Sequence, residues 1–199
     1  MYPEKPFRPD YEAPVKSVVD YVLLRDDVDE ESLALVGFSL GGYFASRAVI
    51  YEKRIKACVV DSPIIDISRY YGGFEQIEEL AKIKVEDYEK LFSESPLACW
   101  AVETFTKRYG AKTVAEALEK VKEFNISGDL DKITCPTLAL VGEGDEAIFQ
   151  AQRFYEGVSG SKALRMFTEK EGAESHCQIT NLSLMNAAVM MWLDGVFSK

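Results

Sequence analysis

A serine, an aspartate and a histidine follow one another along this chain in an order that suits acyl-transfer chemistry. The serine is the centre of Gly37-Phe38-Ser39-Leu40-Gly41. An apolar run, Leu33-Ala34-Leu35-Val36, leads into that string, and a helix-like stretch beginning Gly42-Tyr43-Phe44-Ala45 follows it. Strand, tight turn and helix in that order make a nucleophile elbow, which strains the central residue and lifts its hydroxyl out of the sheet. Gly37 and Gly41 are expected to be required, because a Cβ at either would collide with the neighbouring strand or helix. The plainer reading of Ser39 is a helix N-cap.

A serine hydroxyl is a poor nucleophile at neutral pH. An imidazole must take its proton, and a buried carboxylate must hold the imidazole's other nitrogen. The chain has one histidine, His176, well downstream of Ser39. The acid is expected at Asp145, in the turn Glu143-Gly144-Asp145-Glu146 that follows the buried-strand run Pro136–Gly142. That position lies just past the C-terminal end of a strand, where open α/β sheets put their chemistry. Asp61, at the end of Ala57-Cys58-Val59-Val60, is the main rival, with Glu143 and Asp66 behind it. The bland readings are a surface-loop histidine and a turn-forming aspartate. The backbone N–H of Leu40, directly after the serine, is placed to stabilise an oxyanion. Cys177 adjoins His176 but has no second histidine to serve it as a nucleophile.

Several elements must position these groups. Val15, Val18, Val19, Val22 and Leu23 predict an amphipathic helix over about 11–25, behind a Pro-rich stretch over 1–10. A second helix covers about 42–52, and the next strand ends at Asp61-Ser62-Pro63. Over 64–128 strand patterns vanish. Ile77, Leu80 and Ile83, then Val114, Leu118 and Val121, recur at helical spacing, with Pro96 and Gly110 as punctuation. That segment reads as a helical insertion between sheet strands. Residues 1–63 and 129–199 form the α/β core, with a mostly parallel sheet flanked by helices. A strand over Ala163–Phe167 leads into the loop of His176, and a last helix over about 178–197 carries Leu182, Met185, Val189, Trp192, Leu193 and Val196 as a core stripe.

Composition bounds the function. At 199 residues, 47% of them apolar, the chain can bury one sizeable core. A net charge of −10 argues against nucleic acid or an anionic membrane as partner. No run approaches the length that spans a bilayer, and the opening Met1–Pro6 lacks the apolar core of a signal peptide. The four cysteines show no paired spacing, and one histidine is too few for a Cys/His zinc site. A cytoplasmic protein with reduced thiols, no metal and no cofactor is expected.

The chain resembles the C-terminal catalytic part of the α/β-hydrolase superfamily. Within it, the sequence is similar to the group containing 2,6-dihydropseudooxynicotine hydrolase and the fungal polyketide-shortening hydrolases. The strings that carry the resemblance are Arg8-Pro9-Asp10-Tyr11-Glu12-Ala13-Pro14-Val15, Ala34–Tyr43 and Gly172-Ala173-Glu174-Ser175-His176-Cys177-Gln178. The resemblance covers nearly the whole chain, most weakly in the helical insertion. It implies Ser39 as nucleophile, Asp145 as acid and His176 as base, acting on an ester or on a carbon–carbon bond next to a ketone. It also implies that 64–128 caps the active site. Phe38, Tyr70, Tyr71, Phe74, Trp100 and Phe105 are then candidates to line a small-molecule pocket, although each on its own reads as packing.

The same resemblance implies a long N-terminal portion before the region of residue 10, supplying the first strands of the sheet and a loop with a second oxyanion donor. Without those strands, the strand that carries the elbow becomes a sheet edge with unpaired backbone groups. The chain is therefore expected to be incomplete alone, pairing across that edge with a further N-terminal segment or with another copy. Two other functions compete: a catalytically weak half-enzyme serving as a binding partner, and a prolyl-oligopeptidase-like peptidase. The peptidase would need a gating propeller, and no repeat of that kind occurs in the sequence.

Overall fold

The computed structural model describes residues 5–72 and 75–198, residues 75 and 76 by their backbone alone. Phe74 and the first four residues of the Pro-rich stretch lie outside the described residues. The chain forms two compact units. One is Asp10–Ile65 with Ile126–Lys199, and the other is Asp66–Asn125 with the segment ending at Pro9.

The first unit is built on four parallel strands: β1 (Ala34–Phe38), β2 (Ala57–Asp61), β3 (Thr137–Gly142) and β4 (Lys162–Phe167), in the spatial order β1-β2-β3-β4. Every residue of β2 and β3 is buried. Their uninterrupted apolar sequences suit a parallel sheet covered on both faces. The edge strands are more exposed. β4 carries Lys162 and Arg165, charges that blunt an edge, whereas β1 is Ala-Leu-Val-Gly-Phe and carries none.

Helices cover both faces. The helix α1 (Glu12–Val22) packs on α2 (Leu40–Tyr51), and α2 packs on β1 and β2. Arg47 fastens this pair with a bidentate contact to Glu12 at 2.8 and 2.9 Å, and Tyr11 lies against Phe44 at 4.1 Å between ring centres. A shorter helix, Ile148–Gly157, packs on β3 and β4. The C-terminal helix Leu182–Phe197 meets the other face, where Met185 and Val189 share a core with Val59, Leu138, Leu140 and Phe167. Each such fully buried side chain contributes roughly 1.5–3 kcal/mol. This last helix starts later than its periodicity predicts. Cys177 and Gln178 sit at φ +50° and +47°, which no helix continues, and Asn181 caps the true start by accepting from the Leu184 N–H. Leu182, predicted as core, is therefore half exposed, while Trp192 and Leu193 pack as expected.

The second unit is helical: α3 (Ile67–Tyr71), α4 (Glu75–Lys82), α5 (Tyr88–Glu94), α6 (Pro96–Tyr109) and α7 (Val114–Lys120). The chain enters and leaves it side by side, with Asp66 bridged to Asn125. Its punctuation reads directly from sequence. Ser95 caps α6 with Pro96 in the first turn, Gly110 ends that helix at φ +60°, and Thr113 caps α7. Tyr71, Phe105, Tyr109 and Phe124 meet edge to face through its centre. In chain order the remaining helices become α8 (Ile148–Gly157) and α9 (Leu182–Phe197). No described helix is long and apolar enough to cross a membrane.

Candidate active site

The elbow at Ser39 is a consequence of close approach. Ser39 has φ +56° and ψ −127°, a conformation that an L-residue holds only when its surroundings enforce it. They do so from two sides. A Cβ on Gly37 would lie 2.1 Å from the Gly41 carbonyl oxygen, so only glycine lets α2 turn back this tightly over β1. A Cβ on Gly42 would lie 2.5 Å from the Ser62 carbonyl oxygen, so glycine also lets α2 settle onto β2. Gly41 differs from expectation: a Cβ there would meet nothing within 4 Å. The second sterically required glycine is Gly42. The Ser39 N–H donates to the Asp61 carbonyl at 2.9 Å and pins the turn to β2.

Ser39 occupies the N-cap position of α2, yet its hydroxyl makes no cap hydrogen bond. It reaches His176 instead, with Oγ 2.8 Å from Nε2. The other ring nitrogen of His176, Nδ1, lies 3.0 Å from Asp145 Oδ2. The tautomer that satisfies both contacts carries its proton on Nδ1 and leaves Nε2 to accept. The three side chains, predicted from three distant parts of the sequence, thus form one continuous hydrogen-bonded row.

Each member has a built seat. Asp145 follows β3 in a tight turn, its N–H donating to the Gly142 carbonyl at 3.0 Å. Its Oδ1 accepts from the Ala147 N–H at 2.8 Å, and its Oδ2 accepts from Ser62 Oγ at 2.6 Å. Burial works against this carboxylate, but the hydrogen bonds from His176, Ser62 and Ala147 outweigh it and hold it below the usual carboxylate range. The loop of His176 docks on the end of β3. The Gly144 N–H donates to the Glu174 carbonyl at 3.0 Å, and a Cβ on Gly142 would lie 2.1 Å from that same oxygen. Ala173 is wholly buried beside it. Asp145 raises the imidazole of His176 well above its ordinary value through their hydrogen bond, and the contact with Cys177 adds to the effect.

The rival acids have other work. Asp61 is fully buried at the end of β2. With the Gln178 amide oriented to suit its neighbours, Gln178 donates to both Asp61 oxygens at 3.1 and 3.3 Å and accepts from the Gly142 N–H at 3.3 Å. Burial first, and then the neighbouring charge of Asp145, push the Asp61 carboxyl up to about 7. Asp66 caps α3 and accepts from Asn125 at 2.8 Å. Glu143 accepts from the Glu169 N–H on the surface.

Leu40 opens α2, so its N–H belongs to the first turn, where helical N–H groups have no acceptor within the helix. Phe38, beside Ser39 at the end of β1, is 45% exposed. Tyr71, Trp100 and Phe105 line an apolar cavity of about 140 Å³ within the helical unit, together with Thr104 and Arg108. Tyr70 is not among its walls and instead contacts Tyr71 at 5.6 Å between ring centres.

Sequence reasoning missed Ser62. It is fully buried, with φ +67°, and its Oγ is also 3.3 Å from His176 Nδ1. Cys177 Sγ lies 3.6 Å from both Ser62 Oγ and His176 Nε2. All four cysteines are free thiols. Among the described residues, no group of three or more His, Cys, Asp or Glu could hold a metal ion.

A parallel sheet whose strand, elbow and helix present a serine to a histidine loop is the α/β-hydrolase fold. The chain belongs to the prolyl oligopeptidase family, whose model matches residues 15–156. It is 29% identical to a 20-hydroxy-prefusarin hydrolase, FUS2, of Gibberella moniliformis, covering 96% of this chain and 50% of that protein. It is 30% identical to the hydrolase LUC6 of a Fusarium species, again over 96% of this chain and 50% of the relative. The chain thus spans about half the length of the curated relatives it matches. Among solved structures, 2,6-dihydroxy-pseudo-oxynicotine hydrolase superimposes with a TM-score of 0.69 at 24% identity, over 98% of this chain and 48% of that one.

Proposed function

We propose that this chain is the catalytic part of a serine hydrolase that works through an acyl-enzyme on a small molecule. The observation that carries the proposal is the unbroken row from Ser39 Oγ to His176 Nε2 at 2.8 Å and from His176 Nδ1 to Asp145 Oδ2 at 3.0 Å. In this reading Ser39 Oγ attacks a carbonyl carbon and its proton passes to Nε2. The resulting imidazolium is balanced by Asp145. The Leu40 N–H, at the positive end of α2, faces the oxyanion. When the tetrahedral intermediate collapses, the Nε2–H protonates the leaving group. That group is an alcohol if the substrate is an ester, and a carbanion or enol if it is a β-diketone. A water molecule, deprotonated by the same nitrogen, then releases the acyl group. No step calls for a cofactor.

A second reading is a weak or inactive half-enzyme that serves as a binding partner. It is favoured by the open edge of β1, the strand that carries the elbow, which pairs only with β2 among the described residues. Fluorophosphonate labelling separates the two. The hydrolase reading expects wild type to be labelled, and Ser39→Ala and His176→Ala not to be. A folded wild-type sample that takes no label supports the half-enzyme.

A further inference from the structure

We infer that Ser62 is a positioning residue for the catalytic row, holding Asp145 in the orientation that His176 needs. The inference rests on the serine-hydrolase reading above.

Three observations carry it. The first is position. Ser62 follows Asp61 directly at the end of β2, so it stands at the same rim of the sheet as Ser39 and Asp145. Its N–H donates to the Leu140 carbonyl at 3.0 Å, which ties it to β3 as well. The second is conformation. Ser62 holds φ +67°, a region that favours glycine and disfavours every residue with a Cβ. A glycine would fit this backbone with less strain, so the serine is there for its hydroxyl. The third is where that hydroxyl goes. It is wholly buried and donates to Asp145 Oδ2 at 2.6 Å, the same oxygen that faces His176 Nδ1. The distance from Ser62 Oγ to Nδ1 is 3.3 Å.

Ser62 Oγ, Asp145 Oδ2 and His176 Nδ1 therefore make a closed triangle. Oδ1 is held by the Ala147 N–H and Oδ2 by Ser62, so the carboxylate can rotate about neither oxygen. Its lone pair stays aimed at Nδ1 while the imidazole cycles between neutral and charged. Asp61, Cys177 and Gln178 complete the surroundings, and none of them donates to Asp145. Without Ser62, Oδ2 keeps only its contact with the histidine.

The test is Ser62→Gly, which removes the hydroxyl and relaxes the backbone together. The probe is a fluorophosphonate of fixed structure, and the readouts are its maximal inactivation rate, its apparent binding constant and the melting temperature. The expected result is a fall of about tenfold in the maximal rate, with binding unchanged and melting temperature equal or higher. In an Asp145→Asn background the same substitution should cost much less, because the oxygen it held is gone. A folded Ser62→Gly protein that is labelled at the wild-type rate overturns the inference. So does an equal loss in both backgrounds, or a loss that appears only alongside a lowered melting temperature. Failure of wild type to label at all contradicts the hydrolase reading instead, so the two failures are distinguishable.

Discussion

At the scale of single residues, the decisive contact is between Asp145 and His176. Asp145 raises the imidazole above its ordinary value. The proposed general-base role needs the neutral ring, so the proposed activity is expected to fall as pH falls through that raised value. Replacing Asp145 by Asn removes the main cause of the shift. The ring then stays neutral to lower pH, so the acid limb of the inactivation-rate profile should move down by a unit or more. The plateau should fall by about 10³–10⁴, since the wrong tautomer is now accepted. A pH profile of labelling measures both, and an unmoved acid limb contradicts the role given to Asp145. Much of this scale was legible beforehand. A solitary histidine after a carboxylate turn leaves few alternatives, and the elbow string marks its own serine. Ser62 was not legible. No motif announces a hydroxyl that acts through a left-handed backbone, and the only trace is a Ser-Pro pair at a strand end.

At the scale of elements, the elbow depends on how closely α2 approaches two strands. Gly37→Ala places a Cβ against a helix carbonyl and should cost about 3 kcal/mol or more of stability. Gly41→Ala places one in open space inside α2, and should be neutral or gain up to about 1 kcal/mol. Urea titration of both variants gives the comparison, and an equal loss would mean the elbow is held differently. The sequence pattern located β1 to β4 and α2 to within a residue or two, because buried parallel strands read as short apolar runs. It placed the start of α9 four residues early. Periodicity cannot register the positive φ angles at Cys177 and Gln178, which the seating of the histidine loop imposes. The helical insertion was legible as helices from its helical spacing and from the punctuation at Pro96 and Gly110. Within that unit Tyr71 lines the cavity and its sequence neighbour Tyr70 does not, a difference that residue type alone does not register.

At the scale of the molecule, the two sheet edges differ. β4 is guarded by Lys162 and Arg165, while β1 is uncharged and pairs only with β2 among the described residues. Tyr21 and Leu24, at and just beyond the end of α1, are largely exposed as well. An unguarded apolar edge recruits another strand. The chain alone is therefore expected to self-associate at micromolar concentration, giving a light-scattering mass well above 22.3 kDa. A 22.3 kDa monomer with one cooperative melt contradicts that expectation. Acyl transfer by this chain requires that Ser39 become covalently modified with the help of His176. Peptide mapping by mass spectrometry after fluorophosphonate treatment tests this most directly. The predicted result is a single adduct on Ser39 that disappears in His176→Ala. An adduct elsewhere, or one on Ser39 that persists without the histidine, contradicts it.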